Sequence, residues 1–338
     1  MTVQQPATGR DPAASRGPTS GPVTVEPIAV DPVTVEQEQP VYFPAGENTL
    51  FGIHTHPIKP NGVGIVLVQG GDTVNVSMHR NRLAVRLARR FAADGYHVIR
   101  FDYHGLGEST GVIKQLHLHH PFTDDVEGAA AYLRGLGLTS IVLIGACFGS
   151  RTALSSAPQI PETSAVLLAT PPSAGYDRTE AQSEWMARDA SLGDYAKRAA
   201  SIDKVKAILT DPGRRQLYIK LGTKKLKQVG KTVLNKTGLK RGDGLDWVSP
   251  MLLDPLDAMV KRDVPVLFVF GTKDPLANEF RRAMGGRLGE IMRRSKGKVE
   301  LIDDIEGLVH GFPSVPVQEA FFDVAVDWVN RTVPGDRN

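Results

Sequence analysis

Residues 140–154 read SIVLIGACFGSRTAL, and their order decides the fold. SIVLIGA is apolar almost throughout, the pattern of a strand buried on both faces. It runs into Gly145-Ala146-Cys147-Phe148-Gly149, and a helix starts at about Phe148. A reactive side chain on so sharp a strand-to-helix turn needs a strained backbone and small residues on either side of it. The turn also sets the thiol at a helix N-terminus, where the dipole favours a thiolate. A cysteine elsewhere is often only a small buried hydrophobe, so the context carries this reading.

Strands and helices alternate outward from that segment. Upstream, VYFPAG and TLFGIHTHP form a strand pair that opens the fold near Val41, and GVGIVLVQGG (62–71) is a β-rich run ended by glycines. SMHRNRLAVRLARRFAADG (77–95) has helical spacing and stops on Gly95, and YHVIRFDYHG (96–105) is the next strand. Asp124 or Asp125 caps a helix through VEGAAAYLRGLG. Downstream come the strands SAVLLATPP (164–172), VPVLFVFGTKD (264–274) and KVELIDDIEG (298–307), then a closing amphipathic helix, QEAFFDVAVDWVNRTV. Such alternation predicts an α/β fold with a mostly parallel, doubly wound sheet. Residues 41–172 and 263–338 make its core. Residues 173–262 contain helical segments but no clear strand and form an insertion over one sheet edge. Residues 1–40 are rich in Pro, Thr, Ser and Gly and are expected to be a disordered tail.

The 338 residues carry a net charge of +3, which excludes a global nucleic-acid or membrane signature. The opening residues contain no apolar core of a secretory signal, and no run approaches the roughly 18 apolar residues of a membrane span. One cysteine rules out an internal disulfide and suits a reducing, cytoplasmic setting.

A cysteine nucleophile needs a base, and the base needs an orienting acid. GTKDP sets Asp274 just after a β-rich run, and LVHGF sets His310 just after the last strand. Both positions lie where loops leave the C-terminal ends of parallel strands, the usual location of sites in such sheets. Asp303 and Asp304 lie close to the histidine loop and are alternative acids.

On the residues QGG, FDYHGLGES, GACFG, GTKD and VHGF, spread over about residues 41–335, the sequence resembles the α/β-hydrolase superfamily. The resemblance is to members with a helical lid between strands six and seven. A thiol at the elbow is a minority choice, shared with dienelactone hydrolases and polyhydroxyalkanoate synthases. The resemblance implies a Cys147–His310–Asp274 triad. It also implies an oxyanion hole from the backbone N–H of Phe148 and of Gly71 or Gly70, with Gln69 where relatives often carry histidine.

Other motifs read more simply. Asp102 and Ser109 fit a loop pattern of the family but serve as turn-stabilising residues. His117-Leu118-His119-His120 has no cysteine or carboxylate at ligand spacing, so no metal is expected there. His54 and His56 alternate on a strand and are expected to be solvated. Gly105-x-Gly107 lacks the rest of a dinucleotide fingerprint, and GTKKLKQVGK has the wrong spacing for a phosphate loop. No cofactor is expected.

Between Lys204 and Arg241 there are twelve Lys and Arg against one acid, Asp211. Leu217, Leu221, Val229 and Val233 recur there at roughly helical spacing, which suggests a basic amphipathic helix. Its simplest role is a lid with a solvated basic face. Its functional role is to dock an anionic group such as the phosphates of coenzyme A, the acidic face of an acyl-carrier protein or an anionic lipid surface. A thiolate exchanges with a thioester at nearly balanced energy, so cysteine and basic lid together favour acyl thioester chemistry. Three functions follow as expectations: a hydrolase or thioesterase acting through S-acyl-Cys147, an acyltransferase of the same fold, and a non-catalytic binding protein.

Overall fold

The structure, a computed structural model, describes residues 37–70, 78, 82–113, 120–174 and 248–335. Eight strands form one sheet: β1 (Gln37–Ala45), β2 (Asn48–His56), β3 (Val63–Val68), β4 (His97–Phe101), β5 (Ser140–Ala146), β6 (Thr163–Ala169), β7 (Val266–Gly271) and β8 (Val299–Ile305). Their order is β1-β2-β4-β3-β5-β6-β7-β8. β1 pairs antiparallel with β2 and β2 antiparallel with β4, and every later pair is parallel. This is the mostly parallel, doubly wound sheet that the alternation of elements predicts, in the strand order of the α/β-hydrolase fold that the resemblance implies.

The described helices are α1 (Leu83–Ala93), α2 (Thr123–Gly135), α3 (Phe148–Ser156), α4 (Pro250–Lys261), α5 (Pro275–Ala283), α6 (Arg287–Arg294) and α7 (Val315–Thr332). They cover both faces of the sheet. Successive strand residues point to opposite faces, so Ile141 and Leu143 of β5 pack with Leu133 of α2, Leu154 of α3 and Leu256 of α4. Val142 and Ile144 pack on the other face with Phe91 of α1 and Phe321 and Trp328 of α7. Burial on both faces is why β3, β5, β6 and β7 read as apolar runs rather than alternating ones.

Three expectations are corrected here. β1 begins at Gln37 rather than at Val41, and Glu38 is why the polar start of this strand is held. Its carboxylate accepts hydrogen bonds from Nε and Nη2 of Arg89, both at 3.0 Å, and lies 3.5 Å from Arg100 Nη2. The cap of α2 is Phe122, while Asp124 and Asp125 lie within the first turn, where negative charge still favours the helix dipole. His54 is fully buried rather than solvated.

The Glu38 cluster gives a pH-dependent prediction. Burial pushes the carboxyl up, but the Arg89 hydrogen bond and the Arg100 and Arg89 charges outweigh it and hold the pKa below 4.5. A lowered carboxyl contributes stability that is present above the unfolded value and lost as pH falls through the folded one. Glu38→Gln is therefore expected to cost about 1–2 kcal/mol in urea unfolding at neutral pH. The difference should shrink as pH falls through the folded pKa of Glu38; a gap unchanged from neutral to acid pH would contradict the ionic account.

Most of the expected tail, residues 1–36, and most of the expected insertion lie outside the described residues. The ends of the insertion are described, and they meet. Ala174 bridges Val248, and Ser249 N–H donates to the Ser173 carbonyl at 2.9 Å. The buried Glu279 carboxylate accepts both the Ser173 and Ala174 N–H groups, at 3.0 and 2.9 Å. Arg151 of α3, also fully buried, donates to Ser249 Oγ at 2.7 Å and to the carbonyls of Pro172 and Ala174. Ala174 and Val248 thus meet at one point, tied to the helix that follows Cys147. α4, which falls in the expected insertion, packs Leu252, Leu256 and Met259 into the core.

Candidate active site

Cys147 sits between β5 and α3 with φ 52° and ψ −114°, a positive-φ backbone that a residue with a Cβ adopts only under constraint. The constraint is visible. Cys147 N–H donates to the Ala169 carbonyl at 2.9 Å, and Ser150 Oγ donates to the carbonyls of Gly145 and Ala169, both at 2.8 Å. The flanking glycines are required by space. A Cβ on Gly145 would lie 2.4 Å from the Gly149 carbonyl oxygen. One on Gly149 would lie 2.1 Å from that of Gln69 and 2.3 Å from that of Val68.

His310 follows β8, and its Nε2 lies 3.2 Å from Cys147 Sγ. Its loop can reach the elbow because Gly307 and Gly311 take φ of 113° and 76°. A Cβ on Gly271 would lie 2.4 Å from the Gly307 carbonyl oxygen, so that glycine too makes room for the loop.

Asp274 caps α5 and holds the histidine loop by its backbone. Its buried carboxylate accepts N–H from Gly271 at 2.6 Å, from His310 at 2.8 Å and from Val309 at 3.2 Å. Burial raises its pKa, and the three amides and the His310 charge only partly oppose that. Asp303 instead accepts from Arg281 Nε at 2.8 Å, and Asp304 is exposed. The structure therefore gathers Cys147, His310 and Asp274, and it engages Asp303 elsewhere.

Phe148 is the first residue of α3, where backbone N–H groups have no partner within the helix. The end of β3 passes directly over this turn, since Val68 and Gln69 are what a side chain on Gly149 would strike. Gln69 is locked in place, accepting Tyr103 O–H at its carbonyl (2.7 Å) and donating Nε2 to the Phe101 carbonyl (3.0 Å). Gly70 follows it and is buried. Gly71 lies outside the described residues.

Asp102 and Ser109 hold a turn, as expected. Ser109 Oγ donates to the Asp102 carbonyl at 2.7 Å and accepts Phe51 N–H at 2.9 Å, and the Asp102 carboxylate accepts Glu108 N–H at 3.3 Å. His120 is exposed, while residues 117–119 and the basic stretch 204–241 lie outside the described residues. Tyr103 is a site neighbour that sequence reasoning missed. It is wholly buried, and its ring meets Phe122 and Phe148 edge-on at 5.1 and 6.2 Å. Burial, with Asp125 and Cys147 nearby, pushes its hydroxyl well above the ordinary tyrosine range, so it stays a neutral donor. Its position just beyond β4 was the only available signal.

Residues 65–284 match the family model of the alpha/beta hydrolase fold. The chain belongs to that family. Several solved structures resemble this α/β-hydrolase-fold chain. The esterase Pf2001 of Pyrococcus furiosus is 15% identical, with a TM-score of 0.51 over 89% of this chain and 94% of that one. XC6422 of Xanthomonas campestris, described as an a/b serine hydrolase without lid, is 14% identical, with a TM-score of 0.51 over 88% and 96%. The haloalkane dehalogenase DatA of Agrobacterium tumefaciens C58 is 15% identical, with a TM-score of 0.52 over 88% and 98%. At these identities the likeness speaks for the fold. No curated protein matches the chain significantly. Among the described residues, no helix is long and apolar enough to cross a membrane.

Proposed function

We propose that this α/β-hydrolase-fold chain is an acyl hydrolase or thioesterase that works through an S-acyl-Cys147 intermediate. The observation that carries this reading is the Cys147 thiol on a strained strand-to-helix turn, 3.2 Å from His310 Nε2. His310 takes the thiol proton, and the thiolate attacks the acyl carbon. The carbonyl oxygen becomes an oxyanion beside the N–H groups of Phe148 and of Gly70 or Gly71. Collapse expels the leaving thiol or alcohol, which takes the proton from His310. Water, deprotonated by His310, then attacks the S-acyl carbon and regenerates the thiol. Asp274 is the positioning acid, because its carboxylate fixes the backbone of the histidine loop.

Thioesters are the favoured substrates, since sulfur-for-sulfur exchange is nearly balanced while an ester demands a poorer leaving group. A second reading rests on the twelve Lys and Arg between Lys204 and Arg241. A basic surface of that kind would hold coenzyme A or an acyl-carrier protein while an amine, alcohol or thiol acceptor takes the acyl group. Acyl thioesters and matched oxygen esters of varied chain length, assayed with and without such acceptors, test both readings. Faster turnover of thioesters, with free acid as product, is expected. Product appearing only with an acceptor would mean transfer, and turnover of neither substrate class would leave a non-catalytic binding protein.

Asp274→Asn separates the candidate acids. An amide cannot accept from three N–H groups at once, so the change is expected to cost roughly 1–3 kcal/mol and to lower kcat about 10²-fold or more. Asp303→Asn should leave kcat within about twofold. Steady-state kinetics of both variants on one thioester checks this; a larger loss for Asp303→Asn would reassign the acid.

A further inference from the structure

At the other end of the sheet, His54 and His56, expected from sequence to be solvated, converge with His97. His54 and His56 are two apart on β2 and so share a face. β2 pairs antiparallel with β4, His54 with Ile99 and Thr55 with Val98, and the next step of that register sets His56 opposite His97. All three imidazoles therefore lie on one face. The His54 and His56 ring centroids lie 3.7 Å apart with the rings tilted by 32°, and His54 Nε2 lies 3.1 Å from His97 Nδ1. One nitrogen from each ring falls within 4.8 Å of the others.

We propose that His54, His56 and His97 bind one divalent transition-metal ion, best matched by zinc, which clamps β2 to β4. Zinc takes imidazole nitrogens at roughly 2.0–2.1 Å in tetrahedral geometry, which separates ligand atoms by about 3.3 Å. One pair is already that close, and the third nitrogen lies within 4.8 Å of both. The other partners of the rings are a phenol and an amide: Tyr132 O–H lies 3.0 Å from His54 Nδ1, and Gln39 Oε1 lies 3.2 Å from His56 Nε2. Tyr132 thus orients His54 from its far nitrogen, as outer partners of metal-bound histidines do. An all-imidazole set suits zinc, copper or nickel, and it does not suit magnesium or calcium.

The site is remote from Cys147. His97 pairs with Gly64, which pairs with Ile141, six residues before Cys147. At about 3.3 Å per residue, roughly 20 Å of strand separates the two sites.

The test compares the full chain with the His56→Gln/His97→Gln variant, both residues being partly exposed. Zn²⁺ is titrated by calorimetry into metal-free protein, with thermal unfolding and circular dichroism alongside. The wild type is expected to bind one Zn²⁺ more than the variant, roughly 100-fold more tightly than any remaining site, and to gain thermal stability with Zn²⁺. Mg²⁺ should do nothing. The Cys147–His310 pair is present in both proteins and cancels in the difference. The rate of Cys147 alkylation should match between them. Equal Zn²⁺ stoichiometry and equal thermal shift in the two folded proteins would overturn the proposal. If the double variant does not fold, the single His56→Gln variant decides by the same criteria.

Discussion

Cys147→Ala is expected to abolish turnover, lowering kcat/KM for an acyl thioester on the order of 10⁴-fold or more. Its stability should stay within about 0.5 kcal/mol of wild type, because alanine meets the same positive-φ backbone that cysteine does. Cys147→Gly should be equally inactive yet more stable by about 1 kcal/mol, since glycine takes φ of 52° without strain. The pair of variants separates two consequences of one position. On the proposed function, the strain costs the fold stability and presents the Cys147 sulfur to His310. Kinetics with thermal unfolding checks this. An alanine variant that keeps a tenth of the activity would place the chemistry elsewhere.

Gly149→Ala is expected to have the largest effect on folding, roughly 4 kcal/mol or more of destabilisation. The new methyl would overlap two backbone oxygens, those of Gln69 and Val68, and neither can swing aside as a flexible side chain does. Gln69 is tied by Tyr103 and by the Phe101 carbonyl, and Val68 is paired into the central sheet. Relief requires β3 and α3 to separate. Urea unfolding checks the magnitude; Gly135, with open space around its Cβ position, is the control, and alanine there should be tolerated. A Gly149→Ala protein as stable as that control would contradict the described packing.

The centre of this fold was legible because its central strands are buried on both faces and so appear as unbroken apolar runs. SIVLIGA is β5 residue for residue, and the turn after it is marked by glycines that space alone demands. The edges were less legible. β1 starts on polar residues held by partners distant in sequence, Arg89 and Arg100, so no local pattern announces it. His54 alternates like a solvated residue, yet Tyr132 of α2 closes over it. Arg151 is buried because Ser249, Pro172 and Ala174 meet around it, partners that no local pattern announces. At the site, position along the chain singled out Cys147 and His310. The difference between Asp274 and Asp303 lies in three dimensions, since three amides converging on one and a surface arginine on the other is not a sequence property.

The most direct test of the central claim is intact-protein mass spectrometry after brief exposure to a panel of acyl thioesters and activated esters. The expected result is a mass increase of one acyl group on the wild type, mapped to Cys147 by peptide analysis and absent from Cys147→Ala. An adduct that persists in Cys147→Ala, or no adduct from any donor in a wild type whose Cys147 still reacts with iodoacetamide, would contradict it.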